Sequence, residues 1–101
     1  VQQGNEELNA EAIQQAAVML KCIGHPIRLQ IIELLDRDGD QNVTTIHETL
    51  DIEQAVASQH LSLMRDKGIL SSRREGVNVY YSISDARVTR VIECIHDHCK
   101  T

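Results

Sequence analysis

One stretch limits the fold more than any other. Between Val77 and Ile83 the apolar residues Val77, Val79, Tyr81 and Ile83 alternate with Asn78, Tyr80 and Ser82. A period of two puts one face of a strand against a core. A strand needs a neighbour, and Ile69 to Arg74, directly upstream, is the available one. Glu75-Gly76 supplies the reversal, since glycine takes positive φ freely. Elsewhere apolar residues recur at spacings of three and four, the helical period. The chain is therefore expected to be mostly α with one β-hairpin, an α+β fold. Its 101 residues suit one domain, 1–101, with the polar residues 1–5 disordered.

The helices can be placed by their stripes and punctuation. The first is expected from Glu6, with Ile13, Ala17 and Leu20 facing inward and Glu6, Glu7 and Glu11 near its positive end. Gly24-His25-Pro26 ends it, with His25 as a structural cap, and Pro26 suits the opening turn of a second helix. That helix buries Ile27, Ile31, Leu34 and Leu35, and the polar run Asp36 to Asn42 follows as a loop. A short third helix has capping-box spacing at Thr45 and Glu48, with Ile46 and Leu50 inward. Asp51-Ile52-Glu53 makes a tight connection to a fourth helix, Gln54 to Lys67, which buries Val56, Leu61 and Met64 and stops at Gly68. Ser84 is the expected cap of a fifth helix whose stripe is Val88, Val91, Ile92, Ile95 and Cys99. Two short helices joined by a tight turn, followed by a basic-edged hairpin, are the parts of a winged helix-turn-helix.

Charge distribution sharpens that reading. The net charge is −5, yet residues 1–53 hold three basic and ten acidic side chains, whereas residues 54–80 are net +2. Positive charge thus gathers on the fourth helix and the hairpin, where a phosphate backbone would lie. Tyr80 and Tyr81 are the only aromatic residues, which argues against modules that stack unpaired bases and assigns both to hairpin packing. The longest apolar run, Ala16 to Leu20, is too short to span a membrane. Three cysteines fit a reducing compartment, so the expected location is cytoplasmic, with no membrane partner.

Three segments then carry a family resemblance. Leu20-Lys21-Cys22-Ile23-Gly24-His25-Pro26-Ile27-Arg28-Leu29, Ala57-Ser58-Gln59-His60-Leu61-Ser62-Leu63-Met64 with Gly68-Ile69-Leu70, and Arg73-Arg74-Glu75-Gly76 with Val79-Tyr80-Tyr81-Ser82-Ile83 occur in that order. Together they resemble the ArsR/SmtB family of bacterial winged-helix repressors over roughly residues 11–99. The resemblance implies a homodimer built from the first and last helices, a pseudo-palindromic double-stranded DNA operator, and release when an effector binds.

A reading helix needs small polar residues that let its backbone approach base edges. Gln54, Ser58, Gln59 and Ser62 fit. Gln59 can pair adenine, His60 can donate to phosphate, and Arg65 and Lys67 would position the backbone. Arg73 and Arg74, near the hairpin tip, would grip phosphates or enter the flanking minor groove.

The effector is read position by position. The family's Cys-x-Cys metalloid site would fall near Asn42 to Glu48, where there is no cysteine. Its last-helix metal site would use Asp85 and His98, but Arg87 stands where a histidine is needed and Thr101 replaces the final ligand. Its sulfur sensors place one cysteine in the second helix, where Glu33 stands here. What remains is a thiol switch through Cys22, Cys94 and Cys99, answering reactive sulfur or oxidant. The alternative is a metal- or metalloid-responsive repressor holding zinc or another thiophilic ion on Cys94, His96 and His98. Cys99 also fits plain packing beside Ile95. An enzyme is not expected, because neither an oriented nucleophile nor a Gly-rich phosphate loop is present. The rival from another class is a winged-helix protein-interaction module.

Overall fold

The computed structural model describes residues 9–99. The element order is α1 (Ala10–Ile23), α2 (Pro26–Asp38), β1 (Gln41–Asn42), α3 (Val43–Leu50), α4 (Gln54–Asp66), β2 (Leu70–Glu75), β3 (Asn78–Ile83) and α5 (Ala86–Cys99). The expectations for residues 1–5, Glu6, Glu7 and Thr101 lie outside the described residues.

The core is one aliphatic cluster. Ile31, Ile32, Leu34 and Leu35 of α2 lie at its centre, against Ile46 of α3, Ala57, Leu61 and Met64 of α4, and Val88 and Ile92 of α5. Ile69, Leu70 and Tyr81 close it from the hairpin side. Ala57 takes the inward place expected of Val56, which is half-buried one residue earlier. The smaller side chain suits close helix packing.

The hairpin is as anticipated, with one extra strand. The sheet order is β1-β3-β2, fully antiparallel, with Gln41 opposite Tyr81 and Asn42 opposite Tyr80. Two residues are too few to show alternation, so β1 was hidden in what reads as a loop. α2 also runs on to Asp38, inside the same polar run. The reversal is one residue later than expected. Glu75 pairs with Asn78, leaving Gly76 (φ 65°) and Val77 as the two-residue turn. Val77 is consequently a turn residue, 93% exposed, and not the first inward position of the strand.

Several caps differ from the sequence reading. α1 begins at Ala10, because Asn9 is extended and its Oδ1 accepts from Ala12 N–H at 2.7 Å. Asn42, not Thr45, caps α3: its Oδ1 accepts from Thr45 N–H at 2.8 Å. Asp85, not Ser84, caps α5, accepting from Arg87 N–H at 2.9 Å. Ser84 instead straps the sheet to the end of α4, its hydroxyl donating to the Gly68 carbonyl at 2.9 Å. A carboxylate is the stronger acceptor at a helix N-terminus. His25 does cap α2 as expected, its Nδ1 accepting from Ile27 N–H at 3.1 Å.

The main reversal concerns α1. Met19, Cys22 and Ile23 are buried, whereas the expected inward stripe faces out, with Ile13 53% and Leu20 49% exposed and Ala17 also exposed. Both stripes have helical spacing, so periodicity alone does not choose between them. At about 100° per residue the exposed stripe sits well round the helix from the buried one.

Candidate nucleic-acid interface

α3 and α4 form the helix-turn-helix. Asp51 turns the chain in the left-handed region (φ 56°), and its N–H donates to the Glu48 carbonyl at 3.3 Å. Aspartate tolerates that conformation better than a bulky residue. Ile52 N–H donates to the His47 carbonyl at 3.0 Å, while the His47 ring donates from Nδ1 to the Ile52 carbonyl at 3.2 Å. The turn is thus closed from both sides, and α4 leaves it at a fixed angle.

With Ala57, Leu61 and Met64 inward, helical geometry sets where the other α4 side chains point. Ala55, Gln59 and Asp66 lie on the outward face with Ser62, half-buried, at its edge, and all of them are small or polar. Gln54, Ser58 and Arg65 run along one flank, with Gln54 and Arg65 exposed and Ser58 half-buried. His60 lies on the other flank. Lys67 is exposed at the C-cap, and Arg65 leans on Asp66 at 3.6 Å. Such exposed pairs are weak and exchange readily.

The two wing arginines are not equivalent. Arg73 sits opposite Tyr80 and Arg74 opposite Val79, so alternation sends them to opposite faces of the sheet. Arg73 donates from Nε to Glu75 at 2.8 Å and from Nη1 to Asp40, and its guanidinium lies 5.2 Å from the Tyr80 ring centroid. The bonds to Glu75 and Asp40 hold its pKa above the ordinary arginine value. Arg74 makes no ion pair among the described residues and is the freer group for a phosphate. Tyr81 is buried and Tyr80 half-buried, both packing in the hairpin.

His60 is more constrained than an exposed donor. Arg28 donates from Nε to His60 Nδ1 at 3.0 Å and from Nη1 to the Cys22 carbonyl at 2.8 Å. The His25 ring lies 4.8 Å from that of His60, tilted by 45°. Burial, then the charge of Arg28, then His25, push the His60 pKa down. Arg28 carried no role in the sequence reading. The available signal was His25 and Arg28 standing one turn apart at the start of α2.

The three cysteines are free and separated. Cys22 is buried and lines an open cavity of about 400 Å³ with Val18, Lys21, Arg28, Leu63 and Lys67. Cys99 borders a second cavity, between α2 and α5, with Glu33, Ile92, Ile95 and His96. It keeps the azimuth of the apolar stripe but is exposed. Cys94 is exposed, as are His96 and His98. Among the described residues no three His, Cys, Asp or Glu side chains gather closely enough to hold a metal ion. Asp85 is taken by Arg87, which donates to it from Nε at 3.0 Å and from Nη2 at 2.6 Å. That pairing lowers the Asp85 pKa.

Comparison with known proteins agrees with this geometry. The bacterial regulatory protein family named for arsR matches residues 25–72, from the cap of α2 into β2. The transcriptional repressor PagR of Bacillus anthracis is 36% identical over 84% of this chain and 85% of its own length.

The chain belongs to the ArsR family.

Its structural neighbours include HlyU of Vibrio cholerae, with a TM-score of 0.84 at 31% identity, covering 90% of this chain and 98% of that one. The PagR crystal structure gives a TM-score of 0.80 at 36% identity, covering 86% and 99%. The ArsR-family chain is thus a winged helix-turn-helix DNA-binding transcriptional regulator and not an enzyme. No helix among its described residues is long and apolar enough to cross a membrane.

Proposed function

We propose that this ArsR-family chain is a cytoplasmic homodimeric repressor that reads a pseudo-palindromic operator and leaves it after thiol chemistry. The observation that carries the reading is the outward face of α4. Gln59 is exposed, Ser58 and Ser62 are half-buried beside it, and the small Ala55 stands one turn ahead of it. Such a face lets a backbone settle into a major groove, with Gln59 opposite adenine and the serines toward bases or phosphate. Gln54, Arg65, Lys67 and Arg74 would hold the phosphates, with Arg73 joining them by exchanging its carboxylate partners for a phosphate. His60 would add its Nε2–H.

The dimer is supported by the outward stripe of α1 together with Ile95 of α5, which is 38% exposed. Apolar residues in a row on two helices favour a second copy of the same surface, which would set two reading helices about one DNA turn apart. PagR is itself called a repressor, which favours that sign of regulation.

Cys22 is the favoured sensor. It shares its cavity with Lys21, Arg28 and Lys67, cations that draw anionic reagents such as polysulfide, and Leu63 and Lys67 connect that cavity to α4. Cys94 and Cys99, on the exposed end of α5, are the partners a second thiol would come from. A zinc or metalloid site on Cys94, His96 and His98 would need ligands from two subunits.

The test uses a duplex enriched by the protein from a randomised pool. Binding should show a steep salt dependence and should be lost after polysulfide or peroxide, and Cys22→Ser should abolish that loss. Release by zinc or arsenite instead would establish the metal reading. Binding without salt dependence would favour the protein-interaction module.

A further inference from the structure

α4 packs mainly on α3 and β2 and only lightly on α2. The α2 side is nevertheless where a polar contact fixes its flank. Arg28 reaches three segments at once: it belongs to the first turn of α2, it holds the last turn of α1 through the Cys22 carbonyl, and it holds α4 through His60. The bond from Arg28 to His60 joins residues 32 apart in sequence and is partly shielded from water. We propose that Arg28 is a positioning residue of the reading helix: anchored on the Cys22 carbonyl, it grips His60 Nδ1 and sets the rotation of α4 about its axis. The proposal rests on α4 being the helix that reads DNA.

The geometry makes the grip conditional. Nδ1 accepts the Arg28 Nε–H only while the imidazole is neutral, and the ring then carries its proton on Nε2. His25 is held likewise, with its Nδ1 taken by Ile27 N–H, so its ring is a fixed wall against His60. Arg28 and His25 are the charged or titratable groups that bear on His60. A proton on Nδ1 removes the acceptor and sets an imidazolium against a guanidinium. Because the folded pKa of His60 lies below the ordinary histidine value, the stabilisation is complete above about pH 6.5. It is lost as pH falls through the lowered value. A merely structural contact would shift melting without tying operator recognition to this titration.

The experiment compares Arg28→Met, His60→Leu, His60→Asn and Arg28→Met/His60→Leu with the wild-type chain, using the enriched duplex well below each melting temperature. Asparagine keeps an acceptor where Nδ1 stands. Arg28→Met should weaken operator binding about tenfold and His60→Leu at least as much, and the double variant should lose no more than His60→Leu alone, the signature of a shared interaction. His60→Asn, which keeps the acceptor but not the Nε2–H, should lose less affinity than His60→Leu. Relative to His60→Asn, wild-type affinity should fall as the pH drops below about 6.5 and through the lowered His60 value. Imidazole ¹⁵N shifts should report the Nε2–H form in the wild type and a mixture in Arg28→Met, with amide shifts spreading along α4 from residue 58 to 62. Additive losses, or identical pH profiles for wild type and His60→Asn, would overturn the proposal. If the wild type binds no duplex, the DNA reading fails. The α4 amides still decide the latch, since shifts unchanged in Arg28→Met would refute it.

Discussion

α1 and α4 are helices of nearly equal length, 14 and 13 residues, and both carry apolar residues at helical spacing. They use them in opposite ways. α4 turns its inward stripe, Ala57, Leu61 and Met64, completely into the core and shows glutamine and serine outward. α1 fills the core with Met19, Cys22 and Ile23 and shows Ile13, Ala17 and Leu20 outward. A polar outward face suits a partner recognised by hydrogen bonds. An apolar outward face suits one recognised by burial. In the proposed function, nucleic acid meets the first of these faces and a second copy of the chain the other.

The severest challenge to that contrast is Leu20→Asp. A charge in the outward stripe should convert a dimer to a folded monomer in analytical ultracentrifugation. Operator affinity should drop about 10²–10⁴-fold, because the two reading heads no longer act together. A variant that stays dimeric and binds normally would remove the α1 interface. Next is Leu61→Ala, in the fully buried stripe of α4, expected to cost about 2–5 kcal/mol in denaturant unfolding. Leu20→Ala should cost the folded monomer far less, and equal losses would erase the distinction.

On the polar side, Gln59→Ala should cost about 1–3 kcal/mol of operator binding while leaving random duplex almost unaffected. Arg74→Ala should weaken both and flatten the salt slope. Should Gln59→Ala bind the operator as well as wild type, α4 is not the reading element. The smallest effect concerns the entry to the helix-turn-helix. Asn42→Ala should lower stability by about 1 kcal/mol, because Asn42 caps α3. Thr45→Ala should be nearly silent by thermal melting. The reverse order would restore the capping box.

Much of the fold was legible because it is written locally. The alternation from Val79 to Ile83, the stop at Gly68, and Pro26 after its histidine cap each act within a few residues. The polar face of α4 was legible for the same reason. β1 was not, since its two residues become a strand only through Tyr80 and Tyr81, about 40 residues later. Nor was the division between the wing arginines. Adjacent arginines look alike in sequence, but Arg73 meets Asp40, 33 residues away, while Arg74 faces the other side of the sheet.

The sequence by itself determined the element types, the aliphatic core and the serine- and glutamine-bearing helix, because dihedral preference and hydrophobic period are properties of neighbouring residues. Tertiary structure alone decided which stripe of α1 goes inward, which residue caps α3 and α5, and that Arg28 grips His60. Each of those is a choice between chemically equivalent local options. The choice is made by whichever groups the packing of α2 against its neighbours brings within hydrogen-bond reach.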